Sequence, residues 1–288
     1  MTLPLHLVRL VLDRAAALRV AARQRKSAHD EGTMLHAALA QLFATSEAHA
    51  SVPMQPFAVD DLSLERDAMS GRHDRIPILA YSPLDEAALA SRFGPAARDL
   101  VRELATKEVA PIAVGSLLQF RVRVRPTVRT KRPDPTSPQP RADKRGKPKA
   151  REVDAWLAER LRDWKAARPS EWSENFDVFD DRERVYAEWL DRELLAARPS
   201  TGGRETATRC AELVTTEDLG TNEPRRARMV ELRREPFFQG GARGERPNVV
   251  LEGTLRVTDA DTFRALLARG VGRHRAFGFG MLLLRRPA

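Results

Sequence analysis

NVVLEGTLRVTDADTFRALLARGVGRHRAFGFGMLLLRRP, residues 248–287, reads as strand, helix, glycine-rich loop and strand in that order. Residues 249–257 form the first strand, Thr258 or Asp259 caps a helix running to Ala268, and residues 279–284 close the unit as a second strand. A helix returning between two strands must bury its apolar stripe on their sheet, so the carboxy-terminal part is expected to be α+β.

Working back from this unit, residues 211–220 and 226–232 are weak strand candidates, and PFFQGGARGERP (236–247) has the composition of a loop. Residues 152–167 and 181–197 are helical patterns bearing Trp156, Trp164 and Trp189, and the latter pattern reads as an insertion. Residues 128–150 set five prolines among eight Lys and Arg side chains and read as a basic linker that forms no regular element. Before it, SLLQFRVRVRP (116–126) alternates Leu118, Phe120, Val122 and Val124 with Gln119, Arg121, Arg123 and Arg125, the strongest strand signal in the chain.

Residues 3–12 suggest a first strand, followed by a basic connection over 14–26. Leu35, Leu39 and Leu42 give residues 30–43 a helical repeat, capped by Asp30 or Thr33. A weak strand is possible at 55–59, and RIPILAY (75–81) reads as a strand that Pro77 assigns to an edge. Residues 84–93 suggest a short helix. Strand, helix, strand, helix, strand suits a ferredoxin-like unit ending near Thr127.

The chain has 288 residues, 42% of them hydrophobic, enough for two domains. Its formal charge of +9 favours a polyanionic partner such as nucleic acid, although arginine on a solvated face gives the same figure. Cys210 is the single cysteine, which excludes an intrachain disulfide and multi-cysteine metal sites and fits a cytoplasmic protein. The opening MTLPLHLVRLVLDR is interrupted by His6 and Arg9 and lacks the features of a signal peptide, and no run reaches the roughly 20 apolar residues that cross a bilayer. A soluble protein without a membrane partner is expected.

In GVGRHRAFGFG (270–280), Gly270 and Gly272 can bring backbone amides to a phosphate, and Arg273, His274 and Arg275 add donors suited to phosphodiester oxygens. Phe277 and Phe279 could stack on bases, but the core is the ordinary place for them. The segment is neither a Walker loop nor a dinucleotide fingerprint, and the plainer reading is a tight turn with surface arginines. The paired acids Asp60–Asp61 and Asp180–Asp181 have no matching histidines and read as caps or solvated groups, so no metal or other cofactor is expected.

Taken together, residues 248–287 closely resemble the carboxy-terminal signature of the CasE group, within the RAMP superfamily of CRISPR-associated RNA-binding proteins. The likeness extends more weakly to the first strand, the helix with His36, FRVRVRPT (120–127) and residues 152–161; residues 168–223 match nothing in the pattern. It implies an α+β fold of two tandem ferredoxin-like (RRM-like) domains, 1–127 and 151–288, joined by the linker 128–150, with a helical insertion in the second. It also implies a metal-independent endoribonuclease that binds the repeat hairpin of CRISPR RNA and remains with its product in a Cascade-like complex. Cleavage would follow attack of a ribose 2′-hydroxyl on the adjacent phosphate, leaving a 2′,3′-cyclic phosphate and a 5′-hydroxyl.

The resemblance singles out His36 as general base or acid, with Arg23, Arg25 and Lys26 near it in sequence to stabilise the phosphate. Thr33, the second candidate catalytic residue, stands where many relatives carry a tyrosine and could donate a hydrogen bond with a reach and acidity unlike those of a phenol, and Gln41 stands where some carry a basic residue; His29 is a possible substitute. The expected RNA surface comprises Arg23, Arg25, Lys26, Arg121, Arg123, Arg125, Arg129, Lys131 and Arg132 together with Gly270, Gly272, Arg273, His274 and Arg275. Three alternatives compete with cleavage: a RAMP subunit that holds the hairpin without cutting, the similar processing subunit of a type IV system, and a basic protein using its tryptophan-bearing helices as a protein interface.

Overall fold

The computed structural model describes residues 4–24, 30–44, 52–130, 151–166, 178–195, 209–215, 226–239 and 242–287. The chain builds two antiparallel sheets, each with its own apolar core.

In the first unit, β1 (His6–Asp13) runs into α1 (Arg14–Arg23), and α2 (Glu31–Leu42) follows. After them come β2 (Phe57–Val59), α3 (Asp61–Met69), β3 (Arg75–Ser82), two short helices, α4 (Glu86–Ala90) and α5 (Ala97–Leu100), and β4 (Val101–Glu108). The strands lie in the order β2-β3-β1-β4, the ferredoxin-like arrangement. Alternate residues Val8, Leu10 and Leu12 are buried against Leu35, Leu39 and Leu42 of α2. Each fully buried leucine contributes about 2 kcal/mol of transfer free energy, so this face holds α2 firmly.

The second unit uses β5 (Leu117–Val124), the hairpin of β6 (Thr127–Thr130) and β7 (Arg151–Asp154), α6 (Ala155–Ala166), α7 (Val178–Glu193), β8 (Ala211–Val214), β9 (Arg228–Gln239), β10 (Ala242–Val257), α8 (Ala260–Arg269) and β11 (Leu282–Arg285). Its sheet has the order β11-β5-β10-β8, the same wiring again, with β9 paired to β10 outside that path. The two cores meet where Leu5, Ala58 and Tyr81 of the first unit enter the second, and the buried Tyr81 hydroxyl donates to the Leu282 carbonyl at 3.1 Å.

Two ferredoxin-like units are present, but the boundary expected at residue 127 is displaced. Strand 116–126 opens the second sheet as β5, between β10 and β11, and β4 closes the first. β4 carries no clear apolar alternation in the sequence because it is an edge strand whose charged side chains face solvent. Residues 128–150 accordingly do not divide two domains. Their ends pair as β6 and β7 within the second unit, and 131–150 lie outside the described residues.

Other local expectations change for similar reasons. The basic stretch 14–23 is a helix capped by Asp13, whose carboxylate accepts from Ala16 N at 2.7 Å. β3 is interior, and Pro77 is tolerated because it sits just past the end of the three-residue β2, with its carbonyl accepting from Asp60 N. Residues 236–239 and 242–247, read as loop, extend the β9–β10 hairpin.

Candidate active site

Asp30 caps α2, accepting from Thr33 N at 3.1 Å and from the Thr33 hydroxyl at 2.7 Å. Thr33 is thus part of the cap, its hydroxyl proton directed at Asp30. One turn on, His36 is half-buried, held between the anchors Leu35 and Leu39. Its ring lies on Phe277, with centroids 4.7 Å apart and planes tilted by 38°. Phe277 belongs to the glycine-rich loop of the second unit, some 240 residues downstream, so the histidine and the loop are in contact. The approach is close: a Cβ on Gly32 would fall 2.5 Å from the Phe277 carbonyl oxygen.

The loop is closed on itself. Gly270 N–H donates to Leu266 O as α8 ends, Val271 N–H to Gly280 O, and Gly280 N–H to Arg123 O of β5, at 2.6, 2.9 and 2.7 Å. Gly280 has φ +82°, and a Cβ there would meet Val271 O at 2.1 Å, which leaves glycine as the only fit. Gly272 N–H donates to Glu193 Oε2 of α7 at 3.0 Å, and its Cα rests on the buried Trp189. The amides of Gly270 and Gly272, expected to cradle phosphate, are therefore engaged within the protein. The glycines serve close packing, and what the loop offers a ligand is its side chains.

Those side chains converge on Glu152 of β7. Arg273 Nη1 donates to Oε1 at 3.0 Å, His274 Nε2 lies 2.8 Å from Oε2, and Arg246 approaches Oε2 at 3.7 Å. Burial alone would raise the Glu152 pKa, but hydrogen bonds from His274 and Arg273 and the charge of Arg246 hold it below the ordinary value. Burial drives the His274 pKa down, opposed by Glu152 and assisted by Arg246 and Arg125. A neutral imidazole donating Nε2–H to the carboxylate satisfies both directions. His274 is held with φ 62° at the start of the 3-10 turn Arg275–Phe277, a braced residue of the loop. Arg275 donates to the Arg269 carbonyl at 2.5 Å and is half-buried, its pKa lowered by burial and by neighbouring Arg269. Arg273, at 42% side-chain exposure, is the loop arginine that faces outward.

The β5 arginines divide in the same way. Arg121 is exposed and pairs with Glu252 at 2.5 Å, and Arg123 Nε donates to Asn248 Oδ1 at 2.9 Å. Arg125 is buried, paired with Glu235 and lying 4.3 Å from the centroid of Phe279, so it braces the loop rather than forming surface. Phe279 is buried as expected, whereas Phe277 is only half-buried. Arg23 is exposed at the end of α1 and Arg129 on β6; Arg25, Lys26, His29, Lys131 and Arg132 lie outside the described residues.

Glu152, Arg246, Trp189 and Glu193, which fix the loop, were not legible in the sequence, because each is brought to it from at least 24 positions away. Trp189 is core, and the half-buried Trp156 donates Nε1–H to Asp181 at 2.7 Å. These tryptophans give no support to a protein interface on the inserted helices. Asp60 caps α3, accepting from Ser63 N at 3.2 Å. The buried Cys210 thiol donates to Leu194 O at 2.7 Å. Among the described residues no helix is long and apolar enough to cross a membrane.

Two ferredoxin-like units that meet at a closed glycine-rich loop define a tandem ferredoxin-like architecture. The chain belongs to the CRISPR associated protein family, whose model matches residues 5–286. The fold is shared with the CRISPR endoribonuclease Cse3 bound to 19-nucleotide RNA, at 17% identity and a TM-score of 0.50, covering 99% of this chain and all of that one. Similar structures include Cas6e from Escherichia coli K-12 (18% identity, TM-score 0.49, 98% and 100% coverage). Another is Thermus thermophilus Cse3 bound to an RNA representing a pre-cleavage complex (17%, 0.48, 98% and 99%). No curated protein matches the chain.

Proposed function

We propose that the chain processes CRISPR RNA, binding a repeat hairpin and cutting it without a metal ion by attack of a ribose 2′-hydroxyl on the neighbouring phosphate. The observation that carries this reading is His36 seated on Phe277, which puts an imidazole at the joint of the two units, against the loop that also carries the outward Arg273. His36 takes the proton from the 2′-hydroxyl or gives one to the leaving 5′-oxygen, and Arg273 offsets charge building on the phosphate. The products are a 2′,3′-cyclic phosphate and a 5′-hydroxyl. Retention of the cut hairpin, as a subunit of a Cascade-like complex, follows from affinity supplied by many phosphate contacts. Family membership and the Cse3 fold support the same reading.

The test is cleavage of the cognate repeat RNA in EDTA by wild type and His36→Ala. The variant is expected to lose about 10²- to 10⁴-fold in rate while its hairpin affinity stays within about twofold. Undiminished cutting removes His36 from the mechanism. Absence of cutting by the wild type, with tight and salt-sensitive hairpin binding, supports the non-cleaving subunit instead, a reading favoured by the Thr33 hydroxyl being taken up by Asp30.

A further inference from the structure

The first sheet has a second face. Val8, Leu10 and Leu12 point toward α2, so Arg9, one residue out of phase, points to the opposite side, where Arg75 and Glu103 lie beside it. α3 covers this side with its buried residues Ser63 and Asp67. Between helix and sheet lies a cavity of about 250 Å³, lined also by Arg66 and Arg72.

The charges in this cavity are unequal. Glu103 is shared by Arg9 and Arg75, at 2.8 and 2.7 Å, and Arg72 reaches Asp67 Oδ1 at 3.3 Å. Arg66 donates to Ser63 Oγ at 2.9 Å and to the Leu62 carbonyl, and among the described residues it has no carboxylate partner. Four guanidinium groups thus face two carboxylates, which leaves the pocket cationic. Asp67 adds a second, opposite demand. Its side chain is only 10% exposed, and its Oδ2 accepts no hydrogen bond among the described residues. A buried carboxylate oxygen in that state calls for a donor.

An occupant that meets both demands carries an anionic group for the arginines and a hydroxyl for Asp67. We propose that this pocket binds a ribonucleotide unit, with its phosphate on Arg66, Arg72 and Arg75 and a ribose hydroxyl donating to Asp67 Oδ2. Arginine suits the phosphate because its planar fork can give two parallel N–H bonds to neighbouring oxygens. The 2′-hydroxyl is the group that separates RNA from DNA at such a site. The pocket lies on the face of the first sheet opposite α2 and does not involve His36, so it goes beyond the cleavage reading and stands independently of it.

The experiment titrates the full chain with adenosine and uridine 5′-monophosphates, their 2′-deoxy counterparts and inorganic phosphate, by calorimetry. Ribonucleotides are expected to bind about tenfold more tightly than deoxyribonucleotides, the equivalent of one charge-assisted hydrogen bond. Arg66→Ala, at an exposed position, weakens every phosphate-bearing ligand, and Asp67→Asn brings the ribo-to-deoxy ratio toward one. Both variants are checked for an unchanged melting curve, and His36→Ala binds as wild type. Competition by an unstructured oligoribonucleotide identifies an RNA strand as the source of the nucleotide; its failure, with mononucleotide binding retained, identifies a free nucleotide. Equal affinity for ribonucleotide, deoxyribonucleotide and inorganic phosphate, or binding to none of them, overturns the proposal.

Discussion

The two units repeat one wiring and differ in what is attached to it. In each, four antiparallel strands lie in the order second, third, first, fourth. The first unit joins its opening pair of strands through α1 and α2, whereas the second joins β5 to β8 through a hairpin and two long helices. Those additions hold the loop: Glu152 comes from β7, and Trp189 and Glu193 come from α7. The plain unit contributes the histidine, and the elaborated one contributes the support against which it is set.

The sharpest way to break this comparison is to make one substitution in both units. Gly71 and Gly280 have similar positive φ, +73° and +82°, but a Cβ on Gly71 would meet nothing within 4 Å, and one on Gly280 would meet Val271 O at 2.1 Å. Gly71→Ala is expected to cost about 1 kcal/mol, the intrinsic penalty of a left-handed residue. Gly280→Ala adds the displacement of the loop base and is expected to cost about 4 kcal/mol. Urea unfolding of the two variants measures both; equal costs show that the loop is not locked by its surroundings.

That contrast also explains what was legible in the sequence. α2 and its Asp30 cap, and α8 with Asp259, follow from a local repeat and a local carboxylate, and both stand close to where residue spacing puts them. The loop was recognisable because its glycines are needed locally. Its purpose was not, because the groups that occupy the Gly272 and Gly280 amides arrive from α7 and β5. The alternation in 116–126 identified a strand but not its sheet, since either unit can use an apolar face with arginines on the other side. Only pairing with β10 and β11 assigns it to the second unit. Arg125 and Arg275 likewise have the composition of RNA contacts, while burial against Glu235 and Arg269 makes them supports.

A smaller effect tests the brace on the elaborated side. Glu152→Gln keeps an acceptor but leaves Arg246 and Arg273 without their shared countercharge, and a loss of about 2 kcal/mol is expected. The pH dependence separates charge from shape. Glu152 has a folded pKa below its unfolded value, so its stabilisation is complete above the ordinary carboxylate range and is lost as pH falls through and below that range. His274 is also lowered, so below about 6.5 the unfolded chain takes up a proton that the folded chain resists, and stability declines there too. In Glu152→Gln the acid step belonging to the carboxylate disappears while the step near 6.5 remains. Melting temperatures from pH 8 to pH 3 check this, and parallel curves for the two proteins contradict it.

The smallest effect falls on the joint itself. If the second unit acts on catalysis by setting the ring of His36, Phe277→Ala removes the surface against which the imidazole rests without touching a group that exchanges protons. The freed ring must then be oriented in each turnover, and the cleavage rate is expected to drop about tenfold while hairpin affinity changes by less than about twofold. Phe277→Leu, which restores an apolar cover of lower definition, should recover part of the rate. Single-turnover cleavage, read beside equilibrium binding, separates this from a folding defect, because misfolding lowers the active fraction and leaves the rate constant of the remainder alone. A loss confined to affinity would instead make Phe277 an RNA contact, and the joint would then serve binding on both sides.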